Sequence, residues 1–142
     1  MPPALQEIVD EFADTPREMR LAVLLDFSNG LPPLPPRFAE AGLLERVHEC
    51  QTPFFVAAEV EDGRVRLFFD APPEAPTTRG YAGVLAAGLD GARVEEVLET
   101  PSDFYTGMGL AELISPLRLR GMGAILAHIK RQLVARGGAG RG

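Results

Sequence analysis

Apolar residues open the chain at helical spacing. Leu5, Ile8, Val9 and Phe12 share one stripe, which predicts a short helix over Ala4–Ala13. Thr15 is followed by Pro16 and, three residues on, by Glu18. That pattern reads as a capping box with proline at the first helical position. A second helix is expected through Met19, Val23 and Leu24 to about Phe27, stopped by Asn29 and Gly30. Leu31–Pro36 (LPPLPP) carries four prolines in six residues, which excludes helix and favours extended polyproline II. It is a stiff connector between packed elements or a ligand for an SH3-type groove. Arg37–Leu44 is expected to form one or two helical turns.

The period then changes to two. Residues 47–70 read as the sheet, with Glu61-Asp62-Gly63-Arg64 as a hairpin and Asp-Gly as its two-residue type I′ turn. This turn pairs Val60 with Val65, Ala58 with Leu67 and Val56 with Phe69 on one apolar face. On the other face it sets Glu61 against Arg64 and Glu59 against Arg66, opposite charges across the strands. A slip of one residue would ruin both faces. Val47 and His48 are expected to add a short third strand. After a proline-rich loop at Ala71–Pro76, Thr77 or Thr78 should cap a helix through Tyr81, Val84, Leu85 and Leu89, ending near Asp90-Gly91. Short helices are expected at Val94–Leu98 and Pro101–Met108. Ser115-Pro116 opens the last helix, whose stripe is Met122, Ile125, Leu126, Ile129 and Leu133, with Lys130, Arg131 and Arg136 complementing the dipole at its end. The order is helices, antiparallel sheet, helices. The fold class is α+β, with a sheet of about three strands covered by helices on one face. The expected organisation is a single domain over 1–136 and a flexible glycine-rich tail at 137–142.

Composition narrows the function. Net charge is −6 and a single cysteine is present, which argues against nucleic-acid and anionic-membrane partners and rules out an intramolecular disulfide. No run approaches the ~20 apolar residues of a membrane helix, and no basic stretch precedes an apolar run at the N-terminus, so a cytoplasmic protein is expected. Two histidines and one cysteine cannot by themselves build a structural zinc site or hold an iron–sulfur cluster. The glycines make neither a Walker A loop nor a dinucleotide fingerprint, and there is no Gly-x-Ser-x-Gly elbow.

That leaves Cys50. Buried cysteine is a common core residue, but Glu49 and Gln51 flank this one and Pro53 follows, so it belongs at a strand end or in a loop. His48 projects to the same side if the segment is extended; otherwise it is a partly exposed strand residue. Arg118 and Arg120 lie just after Ser115-Pro116, in a first helical turn where the dipole disfavours cations. They pair at the surface with Glu112 or a nearby acid, or one of them faces a sulfur anion.

At these residues the chain resembles the SufE family, sulfur-acceptor partners of cysteine desulfurases. The family pattern runs from a helix pair through Leu-Pro-x-Leu to Gly-Cys-Gln-Ser-Gln-Val-Trp, a hairpin, an Asp-x-Asp loop, Lys-Gly-Leu and a late His-Leu-Ser/Thr-Pro-x-Arg-x-x-Gly. Here Leu31-Pro32-Pro33-Leu34, Glu49-Cys50-Gln51-Thr52-Pro53-Phe54-Phe55, Arg79-Gly80-Tyr81 and Leu113–Gly121 stand at the matching places. Glu49 replaces the family glycine, Pro53-Phe54-Phe55 replaces Gln-Val-Trp, Glu112 replaces the late histidine, and Glu74 takes the place of the second aspartate.

The resemblance implies a SufE/IscU-like fold shared with iron–sulfur scaffold proteins. It also implies that Cys50 accepts persulfide sulfur from a SufS-type, PLP-dependent cysteine desulfurase, stimulates that enzyme, and passes the sulfur to a SufB-type scaffold. Arg118 would contact the site or the partner, with Glu49, Gln51, Thr52, Glu74 and Arg79 at the partner surface. No cofactor is expected on this chain; the PLP belongs to the desulfurase. Two other readings stay open on the residues alone. One is a stand-alone thiol enzyme with Cys50 as nucleophile and His48 as base. The other is an interaction module in which Cys50 is inert.

Overall fold

The computed structural model describes residues 1–40 and 42–136; the expected tail at 137–142 lies outside the described residues. Its helices are α1 (Pro3–Asp14), α2 (Arg17–Asn29), α3 (Pro76–Leu89), α4 (Val94–Glu99) and α5 (Pro116–Ala135). Its strands are β1 (Glu45–Arg46), β2 (Phe55–Glu61) and β3 (Arg64–Asp70), in the antiparallel order β1-β2-β3. Three short 3-10 turns, at Pro36–Ala39, Phe104–Met108 and Leu110–Glu112, connect them.

The hairpin has the register that the charges and apolar faces predict, Val60 with Val65 through Val56 with Phe69, and Glu61 with Arg64. Asp62 and Gly63 hold φ of +55° and +76° at its turn, as a type I′ turn requires. Val56, Ala58, Val65, Leu67 and Phe69 are buried and face α3 and α5. A second helical layer, α1 and α2, lies on α3. On the sheet's other face the Phe38 ring sits 4.6 Å from that of Phe68, and Arg37 bonds both Glu59 carboxylate oxygens at 2.8 and 2.9 Å.

Several boundaries differ from expectation. Thr15 does not cap α2: its hydroxyl donates to the Glu11 carbonyl at 2.6 Å and closes α1 instead. The following proline disfavours helical backbone at Thr15, so α2 starts at Arg17 with Pro16 in the cap position. Ala75, not Thr77 or Thr78, stands at the cap of α3, because Pro76 presets the first helical φ two residues earlier. The third strand is Glu45–Arg46 rather than Val47–His48. Val47 still donates to the Phe54 carbonyl at 2.8 Å, but the Cys50 N–H then returns to the Val47 carbonyl at 3.1 Å, turning the chain out of the ladder. The segment expected to give helical turns over Arg37–Leu44 does so only at Pro36–Ala39. Pro101–Met108 forms a 3-10 turn from Phe104 instead of an α-helix. Ser115 caps α5 as predicted, its Oγ accepting from the Arg118 N–H at 3.3 Å. The predicted stripe of α5 is buried throughout. Arg131 and Arg136 reach sideways to Glu45 and to the Ala58 carbonyl.

Close approach of α2 and α3 depends on glycine. A Cβ added at Gly83 would stand 2.1 Å from the Phe27 carbonyl oxygen. Gly63, by contrast, has open space where its Cβ would be and needs only its positive φ. The same substitution should therefore cost very different amounts. Gly63→Ala is expected to lose about 1 kcal/mol, the penalty of left-handed backbone, and Gly83→Ala about 3 kcal/mol or more, because two helix backbones must separate. Urea denaturation of both variants checks the difference.

Candidate functional site

The segment between β1 and β2 cannot continue the ladder, because the Val47–Cys50 turn and Pro53 interrupt it. The turn lifts Cys50 off the sheet and sets it against α5. Its Sγ lies 3.8 Å from the Gly121 carbonyl oxygen, and a Cβ at Gly121 would come within 3.4 Å of that sulfur. Cys50 is 8% exposed. It lines a cleft of about 360 Å³ with Glu49, Gln51, Thr52, Glu74, Thr77, Arg118 and Gly121. The cleft thus joins three separate pieces of chain: the turn, the start of α3 and the first turn of α5.

Of the residues singled out from sequence, the structure brings together Cys50, Glu49, Gln51, Thr52, Glu74 and Arg118. Arg79 does not line the cleft; its Nη1 donates to the Ala71 carbonyl at 2.8 Å and anchors the loop that carries Glu74. His48 is not there either. The segment is a turn and not a strand, so residues two apart do not share a side, and His48 is exposed while Cys50 is buried. Glu112 pairs with Arg17 at 3.2 Å, which leaves Arg118 without an ion pair among the described residues. Among the described residues Arg118 is the one cation lining the cleft, which Glu49 and Glu74 also line. The Thr52 hydroxyl is buried and has no hydrogen-bond partner among the described residues.

Sequence reasoning missed His128. This buried side chain places Nε2 3.0 Å from Glu49 Oε1 and Nδ1 2.7 Å from Glu45 Oε2. Glu45 also takes bonds from Arg131 at 3.0 Å and Gln132 at 2.8 Å. Burial, the largest influence on Glu45, pushes its pKa up, but Gln132, His128 and Arg131 together hold it below the usual carboxylate range. Glu49 is held low first by its own backbone N–H and then by His128. Residues 121, 125, 128 and 132 are four, three and four apart, so one stripe of α5 carries the glycine, an isoleucine, the histidine and the glutamine. That stripe is readable in the sequence, whereas its partners 79 and 83 residues away are not.

Burial, and after it the neighbouring Glu49 carboxylate, push the Cys50 thiol up to about 11. The thiol is therefore neutral where it rests on Gly121, and burial there works against the nucleophilic thiolate. A thiol whose folded pKa is raised contributes stability below its unfolded pKa, and loses it as pH rises through the folded value. The stability of wild type relative to Cys50→Ser should thus fall by about 2 kcal/mol between pH 7.5 and 10.5, measured by urea denaturation of both proteins. Glu49→Ala removes the tie to His128 and one carboxylate beside the sulfur. It should speed alkylation of native Cys50 by iodoacetamide about tenfold at pH 8, with circular dichroism unchanged.

Comparison with known proteins gives the family. Residues 6–133 match the SufE family, described as an Fe-S metabolism associated domain. An uncharacterised SufE-like protein of Mycobacterium tuberculosis is 54% identical over 134 residues, 94% of this chain and 93% of the relative. SufE-like protein 1 of Arabidopsis thaliana, chloroplastic/mitochondrial, is 30% identical over 86% of this chain and 32% of its own length. The solution structure of a hypothetical protein from Thermus thermophilus superposes with a TM-score of 0.86 at 49% identity, covering 95% of this chain and 96% of that one. The chain belongs to the SufE family, and its role lies in iron–sulfur metabolism.

Proposed function

We propose that Cys50 is a sulfur acceptor that takes persulfide sulfur from a PLP-dependent cysteine desulfurase and delivers it to an iron–sulfur scaffold. One observation carries the reading: the lone thiol sits on a turn, outside any ladder, in a cleft whose single lining cation among the described residues is Arg118. The Cys50 thiolate attacks the outer sulfur of the desulfurase's cysteine persulfide. The bond between the two partner sulfurs breaks, its electron pair stays on the desulfurase cysteine, and Cys50 becomes Cys–S–SH. A nucleophile on the scaffold then attacks that outer sulfur and returns Cys50 to the thiolate.

The electrostatics support a carrier that is silent until docked. Burial keeps the thiol protonated, and Glu49 opposes the thiolate. When the turn swings towards a partner the thiol leaves its burial behind, while Glu49, on the same turn, moves with it. Once sulfur is loaded, closure returns a persulfide anion to a cleft where Arg118 can face it and the Thr52 hydroxyl has a free hydrogen to donate. No second thiol exists on the chain to resolve the persulfide into a disulfide, and the free thiols such a transfer needs suit a reducing compartment such as the cytoplasm. No helix among the described residues is long and apolar enough to cross a membrane.

Incubation with a SufS-type desulfurase, PLP and cysteine should add one sulfur atom to the intact mass. Cys50→Ser should abolish the gain without altering circular dichroism, and a gain that persists would remove Cys50 from the role. Arg118→Ala should slow loading relative to Arg120→Ala, because Arg120 does not line the cleft. Equal loading rates, both near wild type, would exclude Arg118.

A further inference from the structure

The outer edge of β3 is only partly closed. In a two-residue hairpin the residues flanking the turn form a hydrogen-bonded pair. Arg66 and Phe68 therefore direct their main-chain groups to β2, while Val65, Leu67, Phe69 and Ala71 present theirs outward. The Val65 N–H donates to the Ala92 carbonyl at 2.8 Å, and its carbonyl accepts from the Gly91 N–H at 2.7 Å. The Leu67 N–H donates to Asp90 Oδ1 at 2.7 Å, and the Ala71 carbonyl accepts from Arg79 at 2.8 Å. Between these closures the Leu67 carbonyl and both main-chain groups of Phe69 have no partner among the described residues. Phe69 is 4% exposed. Main-chain groups in folded proteins are almost always paired, so this gap is a place where water or another molecule supplies the partners.

The gap opens into a groove of about 540 Å³, whose walls include Phe27, Leu31, Leu34, Phe68 and Ala86. The proline-rich segment also lines the groove; Pro32, Pro33 and Pro35 have no N–H to offer, and among the described residues no hydrogen bond joins this segment to β3. Asp26 stands exposed at the groove with no ion pair among the described residues, whereas Asp90 is occupied by Leu67 and by Arg66 at 3.6 Å.

We propose that this groove receives an extended apolar segment of a partner protein as an added strand. The segment exchanges both main-chain bonds with Phe69. It buries an apolar side chain against Phe27, Leu31 and Phe68, and sets a Lys or Arg beside Asp26. At ~3.3 Å per residue, the open stretch accommodates about three residues. Main-chain bonds supply the affinity in such strand addition, and side-chain pockets supply the choice of sequence. None of the groups invoked lines the Cys50 cleft, so the proposal stands or falls separately from sulfur transfer.

The test uses the full chain labelled with ¹⁵N and the probe peptide acetyl-Lys-Val-Leu-Val-amide. Two further versions are N-methylated at one or the other set of alternate amides. The unmodified peptide should shift the Phe69 amide resonance and slow its exchange. Only one edge of the peptide faces β3, so one methylated version should bind at least about tenfold more weakly and the other nearly as well as the parent. Asp26→Lys, an exposed change, should weaken the parent peptide about threefold. The proposal is overturned if Phe69 does not respond up to the solubility limit, or if the two methylated peptides bind alike. It also fails if Asp26→Lys leaves binding unchanged, or if Phe69 shifts with protein concentration alone, which would identify a second copy as the occupant.

Discussion

The site depends on how one stripe of α5 meets the short turn after β1. Gly121 offers no side chain, so the Cys50 sulfur can lie against helix backbone. Two turns further on, His128 holds Glu49 from the same turn and Glu45 from the strand before it. Packing and polar contact thus act on consecutive residues, 49 and 50, from a single rigid support. A longer side chain at 121 would displace the sulfur. Loss of the histidine would leave two carboxylates with fewer partners.

Burial and reactivity pull against each other at such a place. On the proposed sulfur-acceptor role, shelter would protect a labile sulfur species from solvent thiols, yet the same desolvation suppresses the thiolate that would form it. The structure separates the two demands by putting the cysteine on a turn that has left the ladder. Local opening of a short segment with few main-chain bonds requires far less free energy than global unfolding. The scaffold under it, α3 and α5 packed on the β2–β3 hairpin, does not have to move.

What could be read from sequence divides along contact range. The β2–β3 hairpin was legible because turn, register and charge pairing lie within neighbouring residues, each requiring the same alignment. The stripe of α5 and its Ser115 cap were legible for the same reason. The Val47–His48 strand was placed two residues late, because the turn at Cys50 is fixed by contacts with α5 that no local pattern encodes. Thr15 and Thr77 were misjudged as caps because each sits next to a proline whose backbone preference outweighs side-chain capping. At the site, Cys50 and Arg118 stood out by type and position and Glu49 and Glu74 only through the family resemblance, whereas His128 looked like one more residue on a helix until its carboxylates came from the far side of the fold.

One consequence concerns the other edge of the sheet. β1 is two residues long, so most of β2 would face outward unpaired. Instead the Gln132 side chain accepts from the Ala58 N–H at 2.8 Å and donates to the Val56 carbonyl at 3.2 Å, while Arg136 donates to the Ala58 carbonyl. Gln132 of α5 and Arg136, at the C-cap of that helix, stand in for a missing strand. The helix and sheet edge are therefore cooperative: α5 cannot peel away without baring a β-strand template for aggregation. The exchange rate of the single Ala58 amide reports whether the whole C-terminal helix is docked.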